Sequence, residues 1–255
     1  MKYLISVAYD GSKFYGFQRL IGHDTVQKRI EDALSIIAKE KVETKGAGRT
    51  DRGVHANDQK VTFKLDINID EEHLKLALNS LVVPYIYIRD VKRVPDDFHP
   101  RFNVLRKEYI YKINLGEFNP LLYDYMFEPN YKLDIEKMKE CAKIFLGIHN
   151  FKNFTSGERK NYECIIYDIE FNKHDNILEI KFIGKSFYRY MVKNLVGAML
   201  DVYPVKREPV RAKFEAQRIN AILGTSLTKD EMLNYLEPVE LAYDETANEI
   251  VAPTF

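Results

Sequence analysis

The chain has 255 residues, of which 45% are hydrophobic and 30% are charged, and its 38 basic residues balance its 38 acidic ones. This length and composition are typical of a globular protein of one or two domains, and the balanced charge excludes nucleic-acid binding through a general positive field. No apolar segment approaches the roughly 18 residues that a membrane span needs, and Met1–Asp10 lacks the apolar core of a signal peptide. We therefore expect a cytoplasmic protein with no membrane attachment.

Aromatic and basic residues are interleaved in two segments, Arg101–Lys112 and Lys185–Lys193. Aromatic rings beside cationic side chains can stack on nucleobases, although most aromatic residues of a globular protein fill its core. The two segments are therefore candidates for a local RNA-binding stripe. The two cysteines, Cys141 and Cys164, lack the C-x-x-C spacing of metal and redox sites and are predicted to be reduced thiols without a chemical role.

Periodicity along the first part of the chain predicts the element order βαββαβ. Alternation in Tyr3–Tyr9 indicates a strand. Apolar residues between Val26 and Ile37 recur at helical spacing, with Asp24 and Gln27 as a predicted capping box at the start. The other elements predicted in this part are strands at Val42–Ala47, Gln59–Leu65 and Tyr85–Val94 and a helix that starts near Asp70.

A similar order recurs in the second part of the chain, where a strand and a helix are followed by a hairpin and another helix. The turn His174–Asn176 is predicted to close the hairpin, and Gly147 to end the helix before it. After Pro204 the pattern is weaker, with a helix ended by Gly224 and one strand. The predicted elements are Lys107–Leu115 (strand), Ile135–Leu146 (helix), Glu163–Phe171 and Leu178–Ile183 (strands), Phe187–Val202 and Arg211–Leu223 (helices) and Val239–Tyr243 (strand).

These elements predict an α/β (α+β) fold of two ferredoxin-like βαββαβ-type halves, joined into a mixed, largely antiparallel sheet flanked by helices. The segment Pro95–Pro100 contains two prolines and two aspartates, a composition typical of a domain boundary. We therefore predict an N-terminal half at residues 1–98, which carries the loop Gly48–Gly53, and a C-terminal half at residues 99–255, which completes a cleft beside that loop.

Asp51 is the principal candidate for chemistry. It lies in a glycine-flanked loop between two predicted strands, with Arg49 and Arg52 close to it in the sequence. Cationic neighbours favour the charged form of a carboxylate, which suits a nucleophile. An aspartate in a tight turn can equally bond the backbone two residues further on, so spacing alone leaves both interpretations open.

The segment around Asp51 resembles the signature of a known family. The string G-R-T-D-R-G-V-H-A, Gly48–Ala56, is similar to the G-R-T-D-x-G-V-H of the TruA-type tRNA pseudouridine synthases. Four further segments resemble family motifs in the same order, so that the resemblance runs from about residue 3 to residue 200. They are Tyr9–Gln18 (Y-D-G-x-x-F/Y-x-G-W-Q), Val94–Phe102 (V-P-x-x-F-H-A-R-F), Lys107–Tyr111 (R-x-Y-x-Y) and Phe187–Gly197 (F-L-R-Y-M-V-R-N-I-V-G).

The resemblance implies an isomerase that converts uridines at positions 38 to 40 of the tRNA anticodon arm into pseudouridines. The reaction moves uracil from an N1 to a C5 linkage without a redox change, so it implies no cofactor and no metal. Asp51 is the implied catalytic carboxylate, which attacks the ribose C1′ or accepts a proton once the base has been flipped into the pocket. The resemblance also implies a homodimer in which one tRNA touches both subunits.

Two further residues share the catalytic role that the resemblance implies. Tyr109 is expected to pack against the flipped uracil, by stacking worth roughly 1 to 3 kcal/mol, and to help remove the C5 proton. Lys193 stands where the family usually has arginine and is expected to pair with Asp51. Arg49 is expected to fill the space that the base vacates. The implied substrate-binding residues are Arg49, Arg52, His55, Arg101, Phe187 and Arg189.

The sequence departs from the family pattern at several positions. Phe17 stands in place of tryptophan, while Arg52 and Pro100 stand in place of alanine. The segment Tyr162–Tyr167 lacks the arginine of the family's R-T-I, and no G-L-Y-L motif occurs near the C-terminus. These departures leave open a paralogous synthase that acts on another RNA.

Two alternatives come from other classes of protein. A non-catalytic RNA-binding module is one, because βαββαβ is also the topology of RRM domains, but no RNP1-like run is present. A metal-dependent hydrolase would use His55, His99 and His149, but their scattered spacing gives neither an i, i+4 pair nor an H-E-x-x-H motif. The resemblance therefore favours the synthase.

Overall fold

The computed structural model describes residues 1–201, 211–236 and 242–251. The chain divides into two compact units, of which the first comprises Met1–Tyr131 with Glu136–Met199 and the second Lys132–Ile135 with Leu200–Phe255. The first unit contains two four-stranded sheets. The predicted boundary near residue 98 falls in the connection between these sheets and stays a prediction.

The first sheet and its two helices have the predicted order βαββαβ. Its strands lie in the order β2-β3-β1-β4 and every pair is antiparallel, as in a ferredoxin-like split βαβ unit. The elements are β1 (Lys2–Tyr9), α1 (Val26–Ala38), β2 (Thr44–Gly46), β3 (Ala56–Lys64), α2 (Glu71–Val82) and β4 (Ile86–Arg93).

Alternation along β1 places the core of this part under the sheet. Tyr3, Ile5 and Val7 are fully buried and pack with apolar residues of α1 and α2, such as Leu34 and Leu78. Side chains at the next positions along an antiparallel strand point to the opposite face. One sheet face is therefore covered by the two helices.

The start of α1 differs from the predicted capping box. Thr25, not Asp24, is the N-cap, because its side chain accepts a hydrogen bond from the Lys28 amide. The Asp24 carboxylate instead accepts hydrogen bonds from Arg29, at 2.7 Å from Nη2. The prediction for the second helix is confirmed, since Asp70 caps α2 by accepting from the His73 amide at 3.0 Å.

The second sheet has the strand order β5-β8-β7-β6, again with every pair antiparallel. The predicted hairpin is confirmed, with Asp175 in the left-handed region at φ 52° in its turn. One edge strand, β6, lies in a segment that the sequence pattern left without an element. The elements are β5 (Lys107–Asn114), α3 (Ile135–Ile144), β6 (Gly147–Asn150), β7 (Glu163–His174), β8 (Ile177–Gly184) and α4 (Met191–Asp201).

The last helix of this part begins later than predicted. The sequence predicted a helix from Phe187 to Val202, but α4 begins at Met191, because Tyr190 adopts a left-handed φ of 62° that a right-handed helix excludes. Val202 lies outside the described residues. This late start leaves Phe187 and Arg189 in an irregular segment that joins β8 to α4.

The described part of the second unit contains a small antiparallel sheet and two short helices. The helix predicted at Arg211–Leu223 is only partly right, because its first three residues form a strand paired with β11. Gly224 ends the helix in the left-handed conformation, as predicted, and Val239 lies outside the described residues. The elements are β9 (Arg211–Lys213), α5 (Ala216–Leu223), α6 (Lys229–Asn234), β10 (Ala242–Asp244) and β11 (Glu249–Val251).

The predicted fold class is confirmed as an α+β protein with antiparallel sheets flanked by helices. Two finer parts of the prediction are wrong. Between the described strands of the two large sheets there is no hydrogen-bonded ladder, so the two halves form separate sheets and are not joined into one. The second half has the order βαβββα, because the extra strand β6 precedes the hairpin, and not the predicted βαββαβ. Among the helices that the structure describes, none has the length and apolar character needed to cross a bilayer.

Candidate active site

Asp51 lies in the loop between β2 and β3, as predicted. The loop is held by its backbone: the Thr50 carbonyl accepts a hydrogen bond from the Phe17 amide at 3.1 Å, and the Asp51 carbonyl accepts one from the Val54 amide at 3.2 Å. In the described part of the chain, no backbone group donates to the Asp51 carboxylate, which is 29% exposed. The carboxylate is therefore not engaged in backbone hydrogen bonds of the turn, and its oxygens are available to a substrate.

Two glycines let the segment after β1 approach this loop. A Cβ on Gly11 would lie 2.1 Å from the Val54 carbonyl oxygen, and one on Gly16 would lie 2.8 Å from that of Thr50. Gly16 also has a left-handed φ of 87°, which favours glycine. The motif from Tyr9 to Gln18 thus packs directly against the Asp51 loop.

The second sheet contributes an aromatic pair. Tyr109 lies on β5, and its ring meets that of Phe187 edge to face, with the ring centroids 5.1 Å apart. Burial and the negative charge of Asp51 raise the pKa of Tyr109 above its ordinary value of 10.0. Tyr109 therefore lies within electrostatic reach of Asp51 and carries a neutral phenol at neutral pH.

Arg189 provides the cation beside Asp51. Its Nε lies 3.6 Å from Asp51 Oδ1, and its Nη2 donates a hydrogen bond to the Tyr190 hydroxyl at 2.9 Å. The sequence predicted Arg189 as a substrate contact and Lys193 as the partner of Asp51. Lys193 lies exposed in the first turn of α4 and makes no ion pair with any described residue. The late start of α4 explains the difference, because it frees the segment before Met191 to reach the loop.

Lys107 ties the two sheets together at this point. Its Nζ donates to the carbonyl of Ala47, the residue before the Asp51 loop, at 2.7 Å. Burial, and to a smaller extent the charge of Arg101, lowers the pKa of Lys107. Sequence reasoning gave Lys107 no role in the site. The available signal was its place as the first residue of the R-x-Y-x-Y match, where a cation is usual.

His55 is engaged at the base of the loop. Its Nδ1 accepts a hydrogen bond from the Gly11 amide at 3.1 Å, and its Nε2 lies 3.3 Å from the Asp124 carbonyl oxygen. Its ring also stacks on Tyr125, with the centroids 5.0 Å apart. These contacts give His55 a structural role, and its predicted contact with substrate stays a prediction.

The other predicted substrate contacts are exposed side chains. Arg49, Arg52 and Arg101 are all exposed, and Arg52 lies over the ring of Tyr15. Both cysteines are free, as predicted. Within the described residues, no group of three or more His, Cys, Asp or Glu side chains is placed to hold a metal ion.

Comparison with known proteins shows the family to which this chain belongs. A family model described as tRNA pseudouridine synthase matches residues 5–103 and 141–244. The tRNA pseudouridine synthase A of Borrelia hermsii is 40% identical over 212 residues, which cover 82% of this chain and 86% of that protein. The enzyme of the same name from Pseudothermotoga lettingae is 43% identical over 205 residues, or 79% and 84% of the two chains. That of Thermotoga neapolitana is 38% identical over 226 residues, or 86% and 92%.

The chain therefore belongs to the tRNA pseudouridine synthase family. Pseudouridine synthases are isomerases. The family and the enzyme class predicted from the sequence are therefore confirmed.

Proposed function

We propose that this protein isomerises uridines at positions 38 to 40 of the tRNA anticodon arm, with Asp51 as its essential carboxylate and without a cofactor. The observation that carries the proposal is the setting of Asp51: its carboxylate makes no backbone hydrogen bond within the described residues and lies 3.6 Å from Arg189. The negative charge of Asp51 also contributes to the raised pKa of Tyr109. A negative charge, a cation and a neutral phenol are thus grouped where a flipped nucleotide would meet them.

The isomerisation of uridine requires few chemical groups besides these three. Flipping the target nucleotide out of the stack costs a few kcal/mol, which contacts with the RNA backbone offset. Asp51 then attacks the ribose C1′ as uracil leaves, or it accepts a proton from the sugar or base. Uracil turns and C5 bonds to C1′, as the C1′–oxygen bond breaks if Asp51 has formed one and returns the carboxylate. The proton on C5 then leaves and N1 ends with a proton in its place. The product is an isomer of the substrate, so neither an oxidant nor an energy source is consumed.

Tyr109 is proposed to hold the extruded uracil. Its ring offers a stacking surface worth roughly 1 to 3 kcal/mol, and Phe187 fixes the orientation of that ring from the side. A tyrosine phenol is protonated at neutral pH and the raised pKa adds to that preference, so Tyr109 acts in the neutral form, as a hydrogen-bond donor or a proton relay.

The cations are proposed to divide the work. Arg189 balances the charge of Asp51, and Arg49 fills the gap left in the RNA by the flipped base. Lys193, which is exposed in the first turn of α4, is proposed as a second cation of the site. His55 and Arg101 remain proposed contacts to the RNA.

From the family resemblance we further propose a cytoplasmic homodimer that binds one tRNA across both subunits. Sedimentation equilibrium tests the dimer: we expect the mass of two chains, and a single-chain mass at micromolar concentration would contradict it.

The substrate position is tested with tRNA transcripts that carry tritium on C5 of a single uridine. We expect tritium release from uridine at position 38, 39 or 40, with EDTA present, and none from a labelled uridine outside the anticodon arm. Release only from the latter, or only from an RNA other than tRNA, would contradict the proposed substrate and favour a paralogous activity. Binding without any release would favour a non-catalytic RNA-binding module.

A further inference from the structure

Three exposed side chains form a stack next to the Asp51 loop. The Arg52 guanidinium carbon lies 4.4 Å from the centroid of the Tyr15 ring, and the His23 ring stacks on the same tyrosine with its centroid 4.3 Å away. Two groups so close to one centroid cannot share a ring face, so Arg52 and His23 cover opposite faces of Tyr15. The tyrosine is nevertheless 45% exposed.

The stack is fixed to the loop that carries Asp51. Arg52 follows Asp51 directly, and Tyr15 precedes Gly16, the glycine that packs against that loop. A Cβ on Gly16 would lie 3.3 Å from the Arg52 amide nitrogen, so the two backbones are in contact. The backbone that carries Tyr15 is therefore packed against the backbone that carries Asp51 and Arg52.

The charge of Arg52 is available for a ligand. Within the described residues Arg52 makes no ion pair, and the carboxylates that adjoin the stack in sequence have other partners: Asp51 pairs with Arg189, and Asp24 with Arg29. Packing on Tyr15 covers one face of the guanidinium and leaves its N–H donors at the edge free. A planar, pre-oriented fork of donors matches the oxygens of a phosphate group.

We propose that Arg52 binds a phosphodiester of the RNA strand beside the target uridine, and that Tyr15, with His23 behind it, is the positioning residue that aims the guanidinium. The inference rests on the proposed function, because it places this phosphate next to the nucleotide that Asp51 meets. The family signature usually has alanine after the aspartate, so this contact belongs to the present chain and not to the signature. Such a contact would let a chain with no net charge hold RNA through single arginines with fixed geometry.

The experiment measures the affinity for unmodified tRNA against salt concentration, in an Asp51→Asn background so that the RNA is not turned over. Arg52→Gln is expected to weaken binding about tenfold and to reduce the slope of log K against log salt by about 0.7 to 0.9, the value for one phosphate. Arg218→Gln, on α5 in the second unit, removes the same charge from an exposed helix surface and is the matched control. It is expected to change neither quantity by more than the error.

Tyr15 is tested through its effect on Arg52. Tyr15→Leu is expected to weaken binding about threefold, while Tyr15→Phe, which keeps the ring, restores wild-type affinity. Because Tyr15 acts through Arg52, the double variant Arg52→Gln with Tyr15→Leu is expected to bind no more weakly than Arg52→Gln alone. Additive losses would overturn the positioning role.

The contacted phosphate is located with RNAs that carry one neutral methylphosphonate at successive positions around the target uridine. One position is expected to weaken binding to the Asp51→Asn protein and to have no further effect once Arg52 is replaced. A loss of affinity by Arg52→Gln with an unchanged salt slope would indicate base stacking and overturn the phosphate contact. If wild-type protein releases tritium from tRNA but Arg52→Gln binds normally, this inference fails and the proposed function stands. If no tRNA is bound or isomerised, both fail.

Discussion

Lys107 shows how a single side chain joins the two sheets at the site. Its amino group is partly buried and donates one hydrogen bond to the carbonyl of Ala47, the residue just before the Asp51 loop. Burial lowers the pKa of Lys107 and so disfavours its charged form, and the hydrogen bond to Ala47 offsets part of that cost. We infer that Lys107 positions the loop without touching the substrate.

Replacement of Lys107 by methionine removes this bond and leaves the Ala47 carbonyl without its donor. We expect kcat to fall about tenfold with little change in KM for tRNA, because the loop is misplaced while the RNA surface is intact. Lys107→Arg keeps a cationic donor and is expected to recover most of the rate. Steady-state kinetics of tritium release measure both. An increase in KM with unchanged kcat would instead make Lys107 a substrate contact.

The ionisation of Tyr9 and Tyr109 makes the stability of the fold depend on pH in the alkaline range. Burial raises the pKa of each above the ordinary 10.0, although the hydrogen bond with Thr50 partly offsets the effect at Tyr9. In the unfolded chain both ionise near pH 10, whereas the folded protein keeps their protons. Their contribution to stability is therefore complete below pH 10 and is lost as the pH rises through the raised pKa values.

Where the unfolded tyrosine has ionised and the folded one has not, each is expected to lower the unfolding free energy by at most about 1.4 kcal/mol per pH unit. Tyr9→Phe should remove one such contribution, so that its stability declines less steeply than that of the wild type. Urea unfolding at successive pH values above 10 makes the comparison. Parallel curves for the two proteins would contradict this assignment.

At the scale of elements, close packing requires glycine at some positions and leaves room for a side chain at others. Gly16 has a left-handed φ of 87° and no room for a Cβ beside Thr50, so Gly16→Ala is expected to destabilise the fold by about 1 to 3 kcal/mol and to reduce activity. Gly197 lies in α4, and no atom of the residues that the structure describes comes within 4 Å of an added Cβ there. Gly197→Ala is therefore expected to stabilise by about 0.5 to 1 kcal/mol. Urea midpoints that shift in the same direction for both would contradict this division.

Most elements of the first unit follow from periodicity, because their burial pattern repeats along the sequence. The hairpin of β7 and β8 was predicted with its turn, since alternating residues flank a segment with typical turn residues. The start of α4 was not, because a left-handed Tyr190 depends on tertiary contacts that no local preference reveals. Thr25 and Asp24 are both good capping residues, and only the structure decides between them.

The site was accessible from sequence only through the family signature. Spacing alone left Asp51 open to a structural role, and nothing local connects it with Tyr109, which lies on a different sheet. The motif placed the two residues in one site, and their electrostatic coupling is consistent with that hypothesis. The motif did not identify Arg189 as the ion-pair partner or Lys107 as the tether, because both depend on how the chain bends between elements.

At the scale of the whole molecule, the proposed function depends on grouping a few charged side chains in a chain of zero net charge. The first sheet supplies Asp51, and β5 together with the segment before α4 supplies Tyr109 and Arg189. Neither sheet by itself contains all three groups. The proposed reaction therefore needs both sheets folded together, and all of its reacting groups lie in the first unit.

The most direct test of this account is single-turnover tritium release from C5-labelled tRNA by wild type, Asp51→Asn and Asp32→Asn. Asp32 pairs with Lys28 on the surface of α1, so its replacement matches the change of charge away from the site. We expect release by wild type and Asp32→Asn, and none by Asp51→Asn although it still binds the tRNA. Release by Asp51→Asn at a rate comparable with the wild type would contradict the central claim that the Asp51 carboxylate is essential.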